Sequence, residues 1–543
     1  MRFLPVTTNA LLVELTDLEQ TLALLASLQR DRLPGVDELV PAARTILVCF
    51  RPWVVSAGAL VANIAGRDLS QRVARSDVLI EIPVRYDGED LDEVAQMLGV
   101  SRDEVVRRHT GSEYTVAFTG FAPGFAYLSG GHPSLDVPRR KTPRTRIPAG
   151  GVGLAGTFSG VYPQASPGGW QIIGVTPLTM WDTGREQPAL LQPGYRVRFT
   201  DLATVGDAAD LHSSASSASS APPRANALAT PARNAGATAP ALKVKGTGLL
   251  TVFQDLGRPG QAGQGVSASG AMDRSSLMTA NRLAGNPSDA AALETVGGGL
   301  QLQSVGETVV AVTGAQAPLT LRSADGRQWS VPAWQPIALA DGDTLTIGQP
   351  VAGARCYVAA RGGFAVDPVL GSCATDTLAN VGPAPLAVGD VLPLREAAAG
   401  AVVGAHALPP EGLPTAAEDV VLDVVLGPRT DWFTAESVAR LAQQRWQVTP
   451  QSNRVGLRLH GETPLERAIT GELPSEGTVL GALQVPPSGQ PVLFLADHPL
   501  TGGYPVIGAV APHHLDRAGQ IPVGAWLRFN VISAFEDLRP FAA

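Results

Sequence analysis

Phe118-Thr-Gly-Phe-Ala-Pro-Gly-Phe-Ala-Tyr-Leu-Ser-Gly-Gly131 places five glycines and prolines among fourteen residues, with aromatic and aliphatic side chains between them. Turn formers at that density leave no room for a helix and favour short strands joined by tight turns. From Tyr114 onward the helical apolar period is lost, and Gly/Pro turns recur every few residues, the pattern of a barrel or sandwich. Glycine (59) and proline (44) are in surplus along the whole chain. The expectation is a mainly β protein with α+β parts. At 543 residues the chain exceeds one hydrophobic core, so roughly two to four domains are expected.

Upstream of the quoted stretch, residues 1–84 read as a small α+β unit. Ala10-Leu-Leu-Val-Glu-Leu and Thr45-Ile-Leu-Val-Cys-Phe alternate as strands, and Asp17 is placed to cap a helix over Leu18–Gln29. A strand is expected over Val78–Val84, then helices over Asp90–Leu98 and Ser101–His109, the latter opened by a Ser101/Glu104 capping box. Residues 85–205 form the barrel unit. Between 206 and 241 runs an Ala/Ser/Pro tether including Ser213-Ser-Ala-Ser-Ser-Ala-Ser-Ser, too poor in large apolar groups to offset its ordering entropy. Residues 242–543 repeat the β-rich style, with helices expected over Asp273–Leu283 and Ala435–Gln444.

Several function classes fall away. A net charge of −8 and only three lysines argue against nucleic acid. No apolar run approaches the ~18 residues of a membrane span, and the first residues lack a signal-peptide pattern, so a cytoplasmic protein is expected. Three scattered cysteines make neither a disulfide framework nor a zinc site. Gly151-Val-Gly-Leu-Ala-Gly156 matches a dinucleotide fingerprint as a string, but Thr-Phe-Ser-Gly follows where a helix must start. There is no GxxxxGK[ST] phosphate loop, and Gly265-Val-Ser-Ala-Ser269 lacks the last glycine of a nucleophile elbow. His498, His513 and His514 show no metal-ligand spacing, so no metal is expected.

What remains is a cluster of cations. Arg139, Arg140, Lys141, Arg144 and Arg146 sit within eight positions of an acidic chain and suit a carboxylate or phosphate. In the second half, Asp255 and Arg258 share a Gly/Pro loop in which a purely structural role is harder to assign. Polar residues between Gly and Pro turns follow at Ser452-Asn-Arg454, Gln484-Val-Pro-Pro, Ala496-Asp497 and Thr501-Gly-Gly-Tyr504-Pro, a pattern suited to a preformed concave site.

These strings carry a resemblance. Phe-Thr-Gly-Phe-Ala-Pro-Gly-Phe, Thr-Pro-Arg-Thr-Arg-Ile-Pro-Ala-Gly and Ser166-Pro-Gly-Gly-Trp170 resemble the allophanate hydrolase subunit 1 family, whose members include the B component of 5-oxoprolinase. Gln254-Asp-Leu-Gly-Arg-Pro-Gly, Ser269-Gly-Ala-Met-Asp, Gln451-Ser-Asn-Arg and Thr-Gly-Gly-Tyr-Pro resemble the subunit 2 family, which includes the C component. The resemblance implies cyclophilin-like β-barrels in both halves and one shared catalytic assembly. It implies a 5-oxoprolinase that uses ATP, with Mg, alongside a partner like the A component of that enzyme. Its rivals are the carboxyltransferase component of a biotin-dependent urea carboxylase and a kinase-regulating binding protein. Ala271-Met-Asp273 lacks the lysine of a biotin-attachment Ala-Met-Lys, so no covalent biotin is expected on this chain.

For such an enzyme acting on a small-molecule substrate, Arg139, Arg144 and Arg146 are expected to bind phosphate or carboxylate. Asp255 and Arg258 would face them from the other half, with His109 as acid/base. Gly124, Gln484, Asp497 and Tyr504 complete the expected site. Asp497-His498 departs from the Asp-Arg of many relatives, which puts a cationic contact at 498 in doubt. A homo-oligomer remains open.

Overall fold

The computed structural model describes residues 1–70, 76–140, 142, 144–204 and 240–540. The tether expected over 206–241 lies, but for its last two residues, outside the described residues; Ala241 already opens a strand.

The chain builds four β units. The first is an antiparallel sheet in the order Arg2–Thr7, Ala10–Glu14, Thr45–Phe50, Val36–Pro41. Helices Leu18–Arg30 and Ala57–Ala65 pack on one face of it, burying Leu24, Leu28, Leu60 and Ile64 against Val13 and Val48. Asp17 caps the first helix as expected, accepting from Gln20 N at 2.9 Å. The second helix escaped the sequence reading because its Gly58 and short length blur the apolar period.

The next unit is a seven-stranded sheet carrying helices Leu91–Leu98 and Arg102–Thr110. Strand Leu79–Val84 belongs to it, pairing in parallel with Arg196–Asp201. A domain boundary at 84 therefore falls too late, because a strand's unit is set by its ladder partner and not by its neighbours in sequence. Gly151–Ala155 is a central strand of this sheet, and the chain turns from it into another strand, Phe158–Val161. No helix follows to hold a pyrophosphate, which agrees with the rejection of the dinucleotide reading.

In the second half, a six-stranded and a five-stranded sheet enclose one core that includes Leu242, Phe253, Val310 and Val358. A closed seven-stranded barrel follows, from Asp419–Leu426 round to Trp526–Ser533, with Trp446 and Leu483 in its core. Among the described residues no helix is long and apolar enough to cross a membrane.

The first sheet does not stand alone. Its outer face, Leu4, Leu12, Val40 and Leu47, packs with Ala262 and Leu500 from the second half. Phe3 bridges to Leu538, bringing the two ends of the described chain together. Beside this seam the buried Arg429 guanidinium donates to Glu476 (3.0 Å) and to Glu14 (2.8 Å). Burial opposes ionisation at Glu14, yet Arg429 holds its carboxyl below the usual range. Removing one member leaves buried charge uncompensated, which costs about 3–5 kcal/mol. Arg429→Ala should therefore lose stability on that order in urea unfolding, whereas Arg327→Ala, which breaks an exposed ion pair with Asp325, should leave the urea midpoint nearly unchanged.

Candidate functional site

A cavity of about 430 Å³ opens where three units meet. The first sheet contributes the Thr16–Leu18 turn, the first barrel Tyr127, Arg139 and Trp170, and the last barrel the loop Glu472–Ser475. Sequence-distant motifs come together here. Phe121 N donates to Thr501 Oγ1 at 3.0 Å, joining the Phe118–Phe125 stretch to the Thr501–Pro505 turn. A Cβ on Gly120 would collide with Thr501, which is the physical reason for glycine there. Gly124, at φ 75°, donates its N–H to Gln264 O at 2.9 Å. It serves the joint between halves.

Two cations line the cavity: Arg44, which pairs with Glu14 at 3.8 Å, and Arg139. Arg139 is half-buried, and among the described residues no carboxylate lies within 4.0 Å of its guanidinium nitrogens. Its Nη1 lies so close to Gly503 that an added Cβ would sit 2.5 Å away. Tyr127 Oη and Ser475 Oγ, one from each half, lie 3.3 Å apart at the cavity wall. Trp170 packs edge-on against Tyr127, with ring centres 5.5 Å apart, so part of the wall is aromatic, while Asp17, Asp136 and Glu472 also line the cavity. An unpaired guanidinium over an aromatic wall with two hydroxyls can hold a small acid by its carboxylate and orient a second polar group.

The rest of the cation cluster is committed elsewhere. Arg144 donates to both oxygens of buried Asp90 (2.6 and 2.7 Å) and to Glu89 (3.0 Å). Arg140 also pairs with Asp90, which in turn accepts from Ile172 N at 2.7 Å. Arg144 thus fastens a loop to the strand Gln171–Val175 and is not free for a ligand. Arg146 is exposed and outside the cavity lining. Lys141 lies outside the described residues.

His109 is a core residue. Its ring lies 4.2 Å from Phe199, with Nδ1 on Tyr86 Oη (2.7 Å) and Nε2 on Ser159 Oγ (2.9 Å). Burial pushes its pKa down to about 3, so the ring is neutral at pH 7, and it is not among the residues that line the cavity. The sequence placed it at a helix end, where an exposed ring would be normal; the barrel closes over that end.

Asp255 and Arg258 likewise stitch loops of the second half. Asp255 accepts from Gly257 N (2.8 Å), Ser372 Oγ (2.6 Å) and Cys373 N (2.6 Å). Arg258 is buried and donates to the carbonyls of Ala374 and Val369. Neither lines the cavity with Arg139. Asp497 is clasped by Arg454 through two bonds of 2.9 Å and accepts from Ser269 Oγ (2.6 Å) and Thr377 N (2.8 Å). Arg454 also reaches Glu294, so one buried ionic network ties the loops of the second half to its last barrel. His498 is buried on Thr478 and Pro499 O.

Gln484 and Tyr504 lie nearer the cleft. Gln484 Nε2 donates to Tyr504 O at 3.3 Å, shaping the Gly502–Tyr504 turn that Arg139 touches. Tyr504 is partly exposed, with Arg467 over its ring at 5.8 Å. Tyr127 and Trp170 lay inside the quoted strings without being singled out, because nothing local in sequence shows that they share a wall with Ser475.

Comparison with known proteins agrees with this two-part construction. Residues 1–191 match the model of the carboxyltransferase domain, subdomain C and D, and residues 264–531 match subdomain A and B. The chain is 34% identical to the C component of 5-oxoprolinase from Escherichia coli K12 over 301 residues, covering 55% of this chain and 93% of the relative. It is 43% identical to the B component of 5-oxoprolinase from Escherichia coli O157:H7 over 171 residues, 31% of this chain and 78% of the relative. The urea amidolyase of Saccharomyces cerevisiae is 33% identical over 54% of this chain, which spans only 17% of that enzyme. The crystal structure of TTHA0988 superposes with a TM-score of 0.80 at 34% identity, covering 96% of this chain and 99% of that one. Both halves of this mainly β chain match the carboxyltransferase domain. The chain belongs to the family formed by the B and C components of 5-oxoprolinase and the carboxyltransferase domains of urea amidolyases.

Two expected outcomes follow from the charges. Arg144→Ala should destabilise the fold by about 1–3 kcal/mol, because buried Asp90 loses its bidentate partner, while Arg139→Ala should leave the urea midpoint nearly unchanged. At Asp376, burial and the nearby Asp497 raise the carboxyl to about 6. A carboxyl raised on folding binds protons more readily in the native state, so it contributes stability at low pH that is lost as pH rises through about 6. Asp376→Asn should therefore reduce the loss of stability between pH 4 and pH 7 by on the order of 2 kcal/mol, read from paired urea midpoints.

Proposed function

We infer that this chain joins the B-like and C-like parts of an ATP-dependent 5-oxoprolinase, which opens 5-oxo-L-proline to L-glutamate together with a separate A component. The observation that carries the reading is that both likenesses lie on one chain and meet at a cavity lined by residues of each half. A volume of about 430 Å³ accommodates a small cyclic acid. On this reading Arg139 holds the substrate carboxylate, and Tyr127 and Ser475 present hydroxyls toward the ring amide. Trp170 and the aromatic wall behind it limit water. A lactam is a stable amide, so its opening needs an activated carbonyl oxygen, and ATP with Mg²⁺ is the co-substrate that supplies the phosphoryl group. The likeness to urea amidolyase favours a second reading, the carboxyltransferase component of a biotin-dependent urea carboxylase. That reaction needs a biotin carrier on another chain or domain.

Mixing the protein with a partner of the A type should yield 5-oxoproline-dependent ATP hydrolysis. Biotin-dependent carboxylation of urea in place of that turnover would establish the second reading instead. Arg139→Ala should lower kcat/KM by about 100-fold with KM for 5-oxoproline rising, as expected for loss of a charge-assisted contact. Unchanged kinetics would remove Arg139 from the site.

A further inference from the structure

Away from the cleft, the turn Pro512–His514 lays two imidazoles against the strand Asp419–Leu426 of the last barrel. His513 Nε2 is 2.9 Å from Asp423 Oδ2, and His514 Nδ1 is 3.8 Å from the same oxygen. The two ring centres are 4.5 Å apart, and a ligand atom from each of the three residues falls within 4.8 Å of the others. We propose that Asp423, His513 and His514 form a binding site for a divalent transition-metal ion of the zinc type, separate from the cleft.

The geometry asks for little rearrangement. Zinc holds nitrogen and oxygen ligands at about 2.0–2.2 Å, which sets neighbouring ligand atoms roughly 3.3 Å apart. The His513–Asp423 and His514–Asp423 separations of 2.9 and 3.8 Å bracket that spacing. Asn530, opposite Asp423 on the parallel strand, donates to Oδ1 at 2.8 Å. That bond orients the carboxylate and leaves Oδ2 toward both rings, as an outer-shell partner does in a metal site. His514 Nδ1 now accepts the backbone N–H of Asp423 at 2.9 Å, so its lone pair already points at this residue. An ion would take that lone pair, giving up one hydrogen bond for a metal–nitrogen bond. The His513 side chain is 58% exposed, so its ring can adjust without disturbing packing. Two imidazoles and one carboxylate favour zinc, nickel or copper over magnesium or calcium, with a further position open to water.

Such an ion would brace a joint. The turn runs directly into Leu515–Gly519, where Asp516 accepts from Arg274 N (2.9 Å) and Ser275 N (3.2 Å) at the start of helix Arg274–Ala284. Gln520 continues to Asp273 at 2.8 Å. Clamping the turn to the barrel strand therefore steadies the contact between the last barrel and that helix. The site escapes a reading by spacing because Asp423 lies 90 residues before His513.

Untagged full-length protein, stripped with chelator and dialysed against Zn²⁺, should retain one ion per chain by elemental analysis. His513→Ala and Asp423→Asn should each weaken that binding at least tenfold, while His132→Ala, an exposed histidine elsewhere, should not. Co²⁺ should give a visible d–d band in the wild type that His513→Ala lacks. Zn²⁺ should raise the melting temperature of the wild type and not of His513→Ala, whose circular dichroism should be native. No stoichiometric uptake of either metal by the wild type, or equal uptake by His513→Ala, overturns the site.

Discussion

The fold depends on a seam in which an apolar sheet face and one buried guanidinium join the two halves. Arg429 sits between Glu14 of the first sheet and Glu476 of the last barrel, beside the Leu4, Leu12 and Leu47 face. A sheet with apolar residues on both faces cannot be stable alone, since one helical layer covers only one of them. The second half supplies the other cover. Once that packing is made, the Thr16–Leu18 turn, Tyr127 and the Glu472–Ser475 loop are held round a common space, and a cavity results that neither half contains.

This dependence explains how charge is used. Within each unit, ionic groups are consumed in holding loops: Arg140 and Arg144 on Asp90, Arg454 on Asp497 and Glu294, Asp255 on Ser372 and Cys373. Buried groups of this kind are costly unless fully partnered, so their partners are chosen by proximity in the fold. Arg139 differs because the Gly503 turn of the other half approaches it without bringing a carboxylate. Among the described residues no carboxylate lies within 4.0 Å of its guanidinium nitrogens. The two halves are similar to two different relatives, the B and C components of 5-oxoprolinase, and here both lie on one chain.

Motif density and placement in the sequence were legible to different degrees. The Phe118–Gly131 and Thr501–Pro505 strings were recognisable as special because their glycines exceed what turns alone need, and they do meet. His109, Arg144, Asp255 and Arg258 were chosen for chemistry that their residue types permit. Each proved to be held by partners 23 to 118 residues away, although Arg258 keeps one buried nitrogen, Nη1, without a partner. Tyr127 and Ser475, 348 residues apart, could not be paired in advance for the same reason.

The β-rich class, the helices with clear caps, the family and the two-part organisation were all written in the order of residues. They follow from local conformational preference, turn chemistry and motifs, which act over a few positions. Packing alone settled which charges are spent in the core, which face a cavity, and where the first barrel begins. Those outcomes rest on burial and on ladder partners, and both are properties of the folded chain that no short stretch contains.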